Sequence, residues 1–212
     1  MSRTTAIRAF VVGAPLPFAA LLTQHPMGGG DLFEQVADNV GPWLAIHYAG
    51  AVYFPLIAFV VWLLIRDLPG RGATIARWAL PVFAVFYTVW EAVFGIAIGL
   101  IGQSGSDLSR DERAGAAAAV DHIVASPLFG ESGAFSAIGS LAWWAGIAGA
   151  IMALKHAGVR RSALVLFGFG GLLVFHVPIG PPALVCLSVA AYLIERHRAA
   201  APVTSLRPLP AL

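Results

Sequence analysis

The chain has 212 residues, of which 58% are hydrophobic and only 11% charged, with a formal net charge of +2. Soluble domains carry about 25% charge, so this composition, with a mean hydropathy of +0.80, excludes an ordinary soluble fold and points to a polytopic membrane protein. A nucleic-acid surface is excluded because the basic residues sit at segment ends and form no single patch, and a lone cysteine, Cys186, excludes an internal disulfide or a CxxC motif.

Six apolar segments can be drawn, at about 9–24, 43–65, 78–101, 134–154, 162–177 and 182–194. Helices are the state expected for them, since an open strand edge in lipid leaves backbone groups unpaired. The first segment is interrupted by Pro15 and Pro17 and no A-x-A site follows it, so it reads as a span and not as a cleaved signal peptide. The loop after it, "HPMGGGDLFEQVADNVGP", is turn-rich at both ends with room for a short helix between. The second and third segments carry internal prolines, Pro55 and Pro81, and the third carries the acid Glu91 in "FYTVWEAVFGIAIGL".

The connection at 102–133 holds "SRDE", a capping box of Ser109 with Glu112, which predicts an Ala-rich helix through about residue 125. That helix is expected to lie along the outer surface as an amphipathic lid carrying Asp121 and His122. The fifth segment is short, Gly-rich and ends at His176, followed by Pro178 and Gly180. The expected organisation is one transmembrane domain over 1–198 and a disordered cytoplasmic tail over 199–212.

Lys and Arg in the loops set the direction of the spans. Arg3, Arg8, Arg66, Arg71, Arg77, Lys155, Arg160, Arg161, Arg196, Arg198 and Arg207 fall on one side, and only Arg110 and Arg113 on the other. The fold expected is therefore an all-α bundle of six transmembrane helices with both termini cytoplasmic. The Arg-rich, Ala/Gly-rich composition suggests a bacterial-type inner membrane.

Counting from the inner arginine of each span places the ionisable groups in depth. His25 lies 17 residues beyond Arg8, about 25 Å at ~1.5 Å per residue. His47 lies 19 residues from Arg66, about 28 Å. His176 lies 15 from Arg161 and Glu91 lies 14 from Arg77, about 22 Å and 21 Å. Four ionisable residues on four segments thus share one layer of the outer leaflet. An intramembrane acid is costly unless it faces the bundle interior and finds a partner, so Glu91 is the most informative single residue. Each histidine taken alone reads as an interfacial or core imidazole bonded to a carbonyl. The shared layer is what raises them together.

Several chemistries fit such a layer. The leading expectation is a metal or haem centre for redox or hydrolytic work. Its metal version uses His25, His47 and His176 as imidazole ligands for Zn, Cu or Fe, with Glu91 as a fourth ligand or supporting base. Its haem version uses His47 and His176 as the axial pair. There Gly50, Gly168, Gly170 and Gly171 would make room for the macrocycle, and Arg110 and Arg113 would meet the propionates. No HxxxH or HExxH motif is present, so this rests on spatial inference.

A second expectation is metal-free acid–base catalysis on a hydrophobic, isoprenoid-like small molecule, with Glu91 as proton donor, Asp121 and His122 on the lid above, and Tyr53, Tyr87, Trp90, Trp143 and Trp144 as an aromatic wall. A third is proton-coupled transport through Glu91 and a histidine relay, for which a 22.2 kDa chain would be expected to homo-oligomerise. A fourth is an anchor subunit with no chemistry of its own.

Overall fold

The computed structural model describes residues 3–26, 30–105, 108–175 and 177–200. It is all-helical, and no strand occurs among the described residues. The helices are α1 (Arg3–Gly13), α2 (Pro15–Leu22), α3 (Leu32–Asp38), α4 (Val40–Ile65), α5 (Arg71–Trp90), α6 (Ile98–Ser104), α7 (Arg110–Val124), α8 (Ala134–His156), α9 (Arg161–Phe169) and α10 (Gly180–Ala200). A π-helical segment, Glu91–Ala97, joins α5 to α6, and a 3-10 segment, Gly170–Phe175, extends α9.

Among the described residues, four helices are suited by length and composition to crossing a membrane: Thr4–Leu22, Val40–Ile65, Arg71–Ser104 and Ala134–His156. Arg161–Phe175 is apolar but shorter. The helix α10 has 21 residues and ends in a charged turn containing His197 and Arg198. It runs to Ala200, two residues into the stretch expected to be a disordered tail, and 201–212 lie outside the described residues.

The sequence explains where the long helices start and break. Pro15 and Pro17 lack the N–H groups that would bond the carbonyls of Val11 and Gly13, and the first span divides there into α1 and α2. The backbone nevertheless stays helical through Ala14, at φ −59 and ψ −35. The helix α5 begins after Gly70, whose φ of +96 suits a residue without a Cβ. In α7, the Ser109 amide donates to Glu112 Oε2 at 2.8 Å, as the capping pattern predicts, and the Ser109 hydroxyl donates to the same oxygen at 2.6 Å.

The long helices close a ring. α5 packs on α8, α8 on α9, α9 on α10, α10 on α1 and α2, these on α4, and α4 on α5. The closest of these contacts is α5 with α8. A Cβ on Gly72 would lie 2.7 Å from the Gly149 carbonyl, and one on Gly149 would lie 2.6 Å from the Gly72 carbonyl, so only glycine fits at both places. Small residues allow such backbone approach in apolar surroundings.

The centre of the ring is filled. Phe18, Phe54, Phe83 and Trp143 are fully buried and run across it in series, the first two contacts edge-to-face and the third tilted, with centroids 5.5, 6.0 and 4.7 Å apart. Large apolar side chains point outward from every side of the ring, including Val52, Trp78, Leu141, Val165 and Tyr192. A second, smaller core of Phe33, Val36, Trp43, Leu44, Ile98 and Val120 joins α3, α6 and α7 to the end of α4.

Candidate functional site

The site forms where α4 meets the π-helical segment. His47 Nδ1 lies 2.8 Å from Glu91 Oε1, and both residues are buried, at 2% and 0% exposure. Glu91 opens the π-helical segment. A π turn holds one more residue than an α turn, and such turns recur at functional sites. Here it brings Gly95 against the His47 ring, where any Cβ would overlap the imidazole. Across the pair, a Cβ on Gly50 would overlap the Glu91 carboxylate. The His–Glu contact therefore rests in a cradle of two glycines, one from each helix.

Trp43 covers the pair. It lies one turn before His47 on α4, its ring centroid 4.4 Å from the imidazole, and its Nε1–H donates to the Gly95 carbonyl at 2.7 Å. His25 completes the cluster from the end of α2. Its ring centroid lies 5.4 Å from that of His47, edge to face, and 5.2 Å from that of Trp43. His25 Nδ1 donates to the Pro26 carbonyl at 2.9 Å, and Gln35 Nε2 donates to the same carbonyl at 3.0 Å. Burial lowers the pKa of His25, which favours the neutral ring. Tyr87, one turn before Glu91, donates its hydroxyl to the Val174 carbonyl at 3.1 Å, so the end of the 3-10 segment reaches the same level.

The structure thus brings together His25, His47 and Glu91, three of the four residues expected in one layer. His176, the fourth, lies outside the described residues. Among the described residues, no group of three His, Cys, Asp or Glu side chains has the spacing to hold a metal ion.

Other expected members sit elsewhere. Asp121 and His122 are on the exposed face of α7, because Val120 turns inward and the next residues rotate away from it. His122 instead lines a cavity of about 310 Å³ with Val93, Ile123, Ser126, Pro127 and Phe129. Arg113 is spent on structure: it bonds Glu34, donates to the Gly105 carbonyl and lies over the Phe33 ring, tying α7 to α3 and α6. Arg110 is exposed.

The glycines expected to open space for a macrocycle do not frame a cavity. The space beside Gly50 holds Glu91, a Cβ on Gly170 would lie 3.2 Å from Leu187, and one on Gly168 or Gly171 would lie 3.6 Å from Ile151 or Ile147. The expected aromatic wall is packing as well. Tyr53 stacks on Phe18 at 5.1 Å, and Trp143 packs on Phe83. Trp90 Nε1 donates to the Gly130 carbonyl and Trp144 Nε1 to the Gly171 carbonyl.

Two features escaped the sequence reading. Trp43 carried a readable signal, since a residue four before His47 shares its helix face. Glu195, at the charged end of the last segment, is 4% exposed, and its spacing of three from Arg198 was the available signal. Comparison of the chain with protein-family models, with curated protein sequences and with solved structures finds no match.

Proposed function

We propose that this is an integral membrane protein that binds a transition metal through His25 and His47, with Glu91 supporting His47, for hydrolytic or redox chemistry at the outer side of an inner membrane. The observation that carries the reading is the orientation of the two imidazoles. His25 Nδ1 faces a carbonyl, which can only accept, so Nδ1 holds the proton and Nε2 is the basic nitrogen. His47 Nδ1 faces the Glu91 carboxyl, and donation to it makes Nε2 the basic nitrogen there as well. Metal-binding histidines have this arrangement: the second ring nitrogen is held by a carboxylate or carbonyl, which fixes the tautomer and raises ligand basicity. In this reading Glu91 orients and polarises His47, and His176 is the third imidazole.

The outward apolar side chains on every side of the ring support membrane placement, with α9 and α10 as the fifth and sixth spans. The Arg-rich ends support cytoplasmic termini.

A second reading, proton transfer without a metal, is favoured by one observation: a buried carboxyl and imidazole in direct hydrogen-bonding contact can exchange a proton without moving a heavy atom. One experiment separates the two. Protein purified in mild detergent, never exposed to chelator, is analysed for metals and for visible absorption. Near-stoichiometric Zn, Cu or Fe is expected, lost in His47→Ala and bound about 10–100-fold more weakly in Glu91→Gln. Protein with no metal, or with metal unchanged by both substitutions, overturns the metal reading.

A further inference from the structure

At the end of the bundle opposite Glu91 lies a second buried carboxylate, and it is outnumbered. Glu195 on α10 faces Arg198 at 2.7 Å, Arg8 of α1 at 3.4 Å and Arg66 at 3.8 Å. Arg66 and Arg198 have a further duty. The last carbonyls of an α-helix lack intrahelical donors. Arg66 bonds the Leu63 carbonyl and Arg198 that of Leu64, while Arg77 donates to the carbonyls of Ile65, Arg66 and Leu68. Together they cap α4. Asp67 offers Arg66 one oxygen at 3.2 Å, but its side chain is 73% exposed.

Arg8 is different. Its contact with Glu195 is an ion pair without a hydrogen bond, its Nε is shut off from solvent, and its side chain is 41% exposed overall. The cluster therefore holds more positive charge than Glu195 and Asp67 balance, and the surplus is presented by Arg8. An apolar groove of about 270 Å³ lies between α4 and α5, lined by Pro55, Ala58, Phe59, Trp62, Leu80 and Pro81. Phe59 and Trp62 precede Arg66 by two turns and one turn, and Phe10 of α1 packs edge-on against Phe59. Charge and groove thus adjoin on one outward side of the bundle.

We propose that Arg8 binds the phosphate of an anionic lipid headgroup, with an acyl chain in the Phe59–Trp62 groove. Guanidinium groups match phosphate oxygens in geometry and charge, and basic pockets between helices on the cytoplasmic side recognise anionic headgroups. The shared chemistry is phosphate recognition, and a free phosphate would use Arg8 without the groove. This inference does not depend on the His47–Glu91 cluster.

The test is native mass spectrometry of the full chain in mild detergent, with phosphatidylglycerol and phosphatidylcholine as probes and inorganic phosphate as competitor. Phosphatidylglycerol is expected to be retained about fivefold more tightly than phosphatidylcholine, and Arg8→Gln to erase that preference. Arg8→Lys, which keeps the charge, retains it. Trp62→Ala weakens lipid retention while leaving inorganic phosphate binding unchanged. If inorganic phosphate displaces the lipid and Trp62→Ala has no effect, the phosphate site stands and its natural occupant is a soluble phosphate. Equal retention of the two lipids by wild type, or an unchanged preference in Arg8→Gln, overturns the proposal. Should Arg8→Gln fail to fold, the wild-type preference and its loss at high salt decide the matter.

Discussion

Replacing Gly95 with alanine tests the cradle directly. The new methyl would overlap the His47 ring, with the His47 Cβ only 2.9 Å away. The ring has nowhere to retreat, because Trp43 lies 4.4 Å and His25 5.4 Å from it, centroid to centroid. Overpacking of this kind costs about 1–3 kcal/mol. Displacing the imidazole also separates it from Glu91, and an unsatisfied buried polar group costs a further ~1–3 kcal/mol. Against these, alanine is favoured over glycine in a helix by roughly 0.5–1 kcal/mol. The net expectation is a loss of about 3 kcal/mol, or a fall in Tm of roughly 6–12 °C for a chain of this size.

The assay is thermal unfolding in detergent followed by tryptophan fluorescence. Gly115→Ala serves as control, since its methyl meets nothing within 4 Å and should raise Tm by about 2 °C. In a His47→Ala background the cost of Gly95→Ala should shrink by roughly 1–3 kcal/mol, because the group it strikes is gone. A Gly95→Ala protein within about 1 °C of wild type, or an equal loss in both backgrounds, would refute the reasoning.

Three further outcomes are expected. Arg113→Ala should change global stability by less than about 1 kcal/mol, since its ion pair with Glu34 is largely exposed, yet it should speed hydrogen exchange along α7. The Ser109 hydrogen bonds hold the Glu112 carboxyl below its usual pKa. Its support of α7 is therefore complete above the ordinary carboxylate pKa and is lost as pH falls through the lowered one; hydrogen exchange at Arg113 and Ala114 should rise over that window in wild type and not in Glu112→Gln. In a Cys186→Ser background, cysteines placed at Lys155 and Glu131 should be labelled from opposite faces of the membrane, Lys155 from the cytoplasmic one. Labelling from the same face removes the proposed topology.

Much of the longitudinal layout was legible in the sequence because charge and proline act locally. The break after Gly13 follows from two missing amide protons, and the start of α7 follows from one Ser–Glu pair. Counting residues from an anchoring arginine placed His25, His47 and Glu91 at one depth, and they meet. A capping box gives a helix and no azimuth, so the lid reading put Asp121 and His122 above the site although they face outward. The π turn was not legible, since nothing local in "WEAVFGIA" separates it from an α-helix. It is stabilised by tertiary partners, a tryptophan on the Gly95 carbonyl and a histidine ring against the Gly95 Cα. Glu195 was hidden for the opposite reason: in a basic flank an acid looks solvated until three helices converge on it.

The reciprocal fit of Gly72 and Gly149 has a mechanical consequence. Two backbones in contact cannot slide past one another by a fraction of a turn without one carbonyl striking the other chain, so α5 and α8 form a single strut. Above that strut, the same chain widens into a π turn that carries Glu91. Displacement of Glu91 relative to His47 must then come from the π turn or from α4, while the lower half stays still as a fixed base. The protein is built as a stiff post that widens at its top, and the buried His47–Glu91 pair sits at the joint.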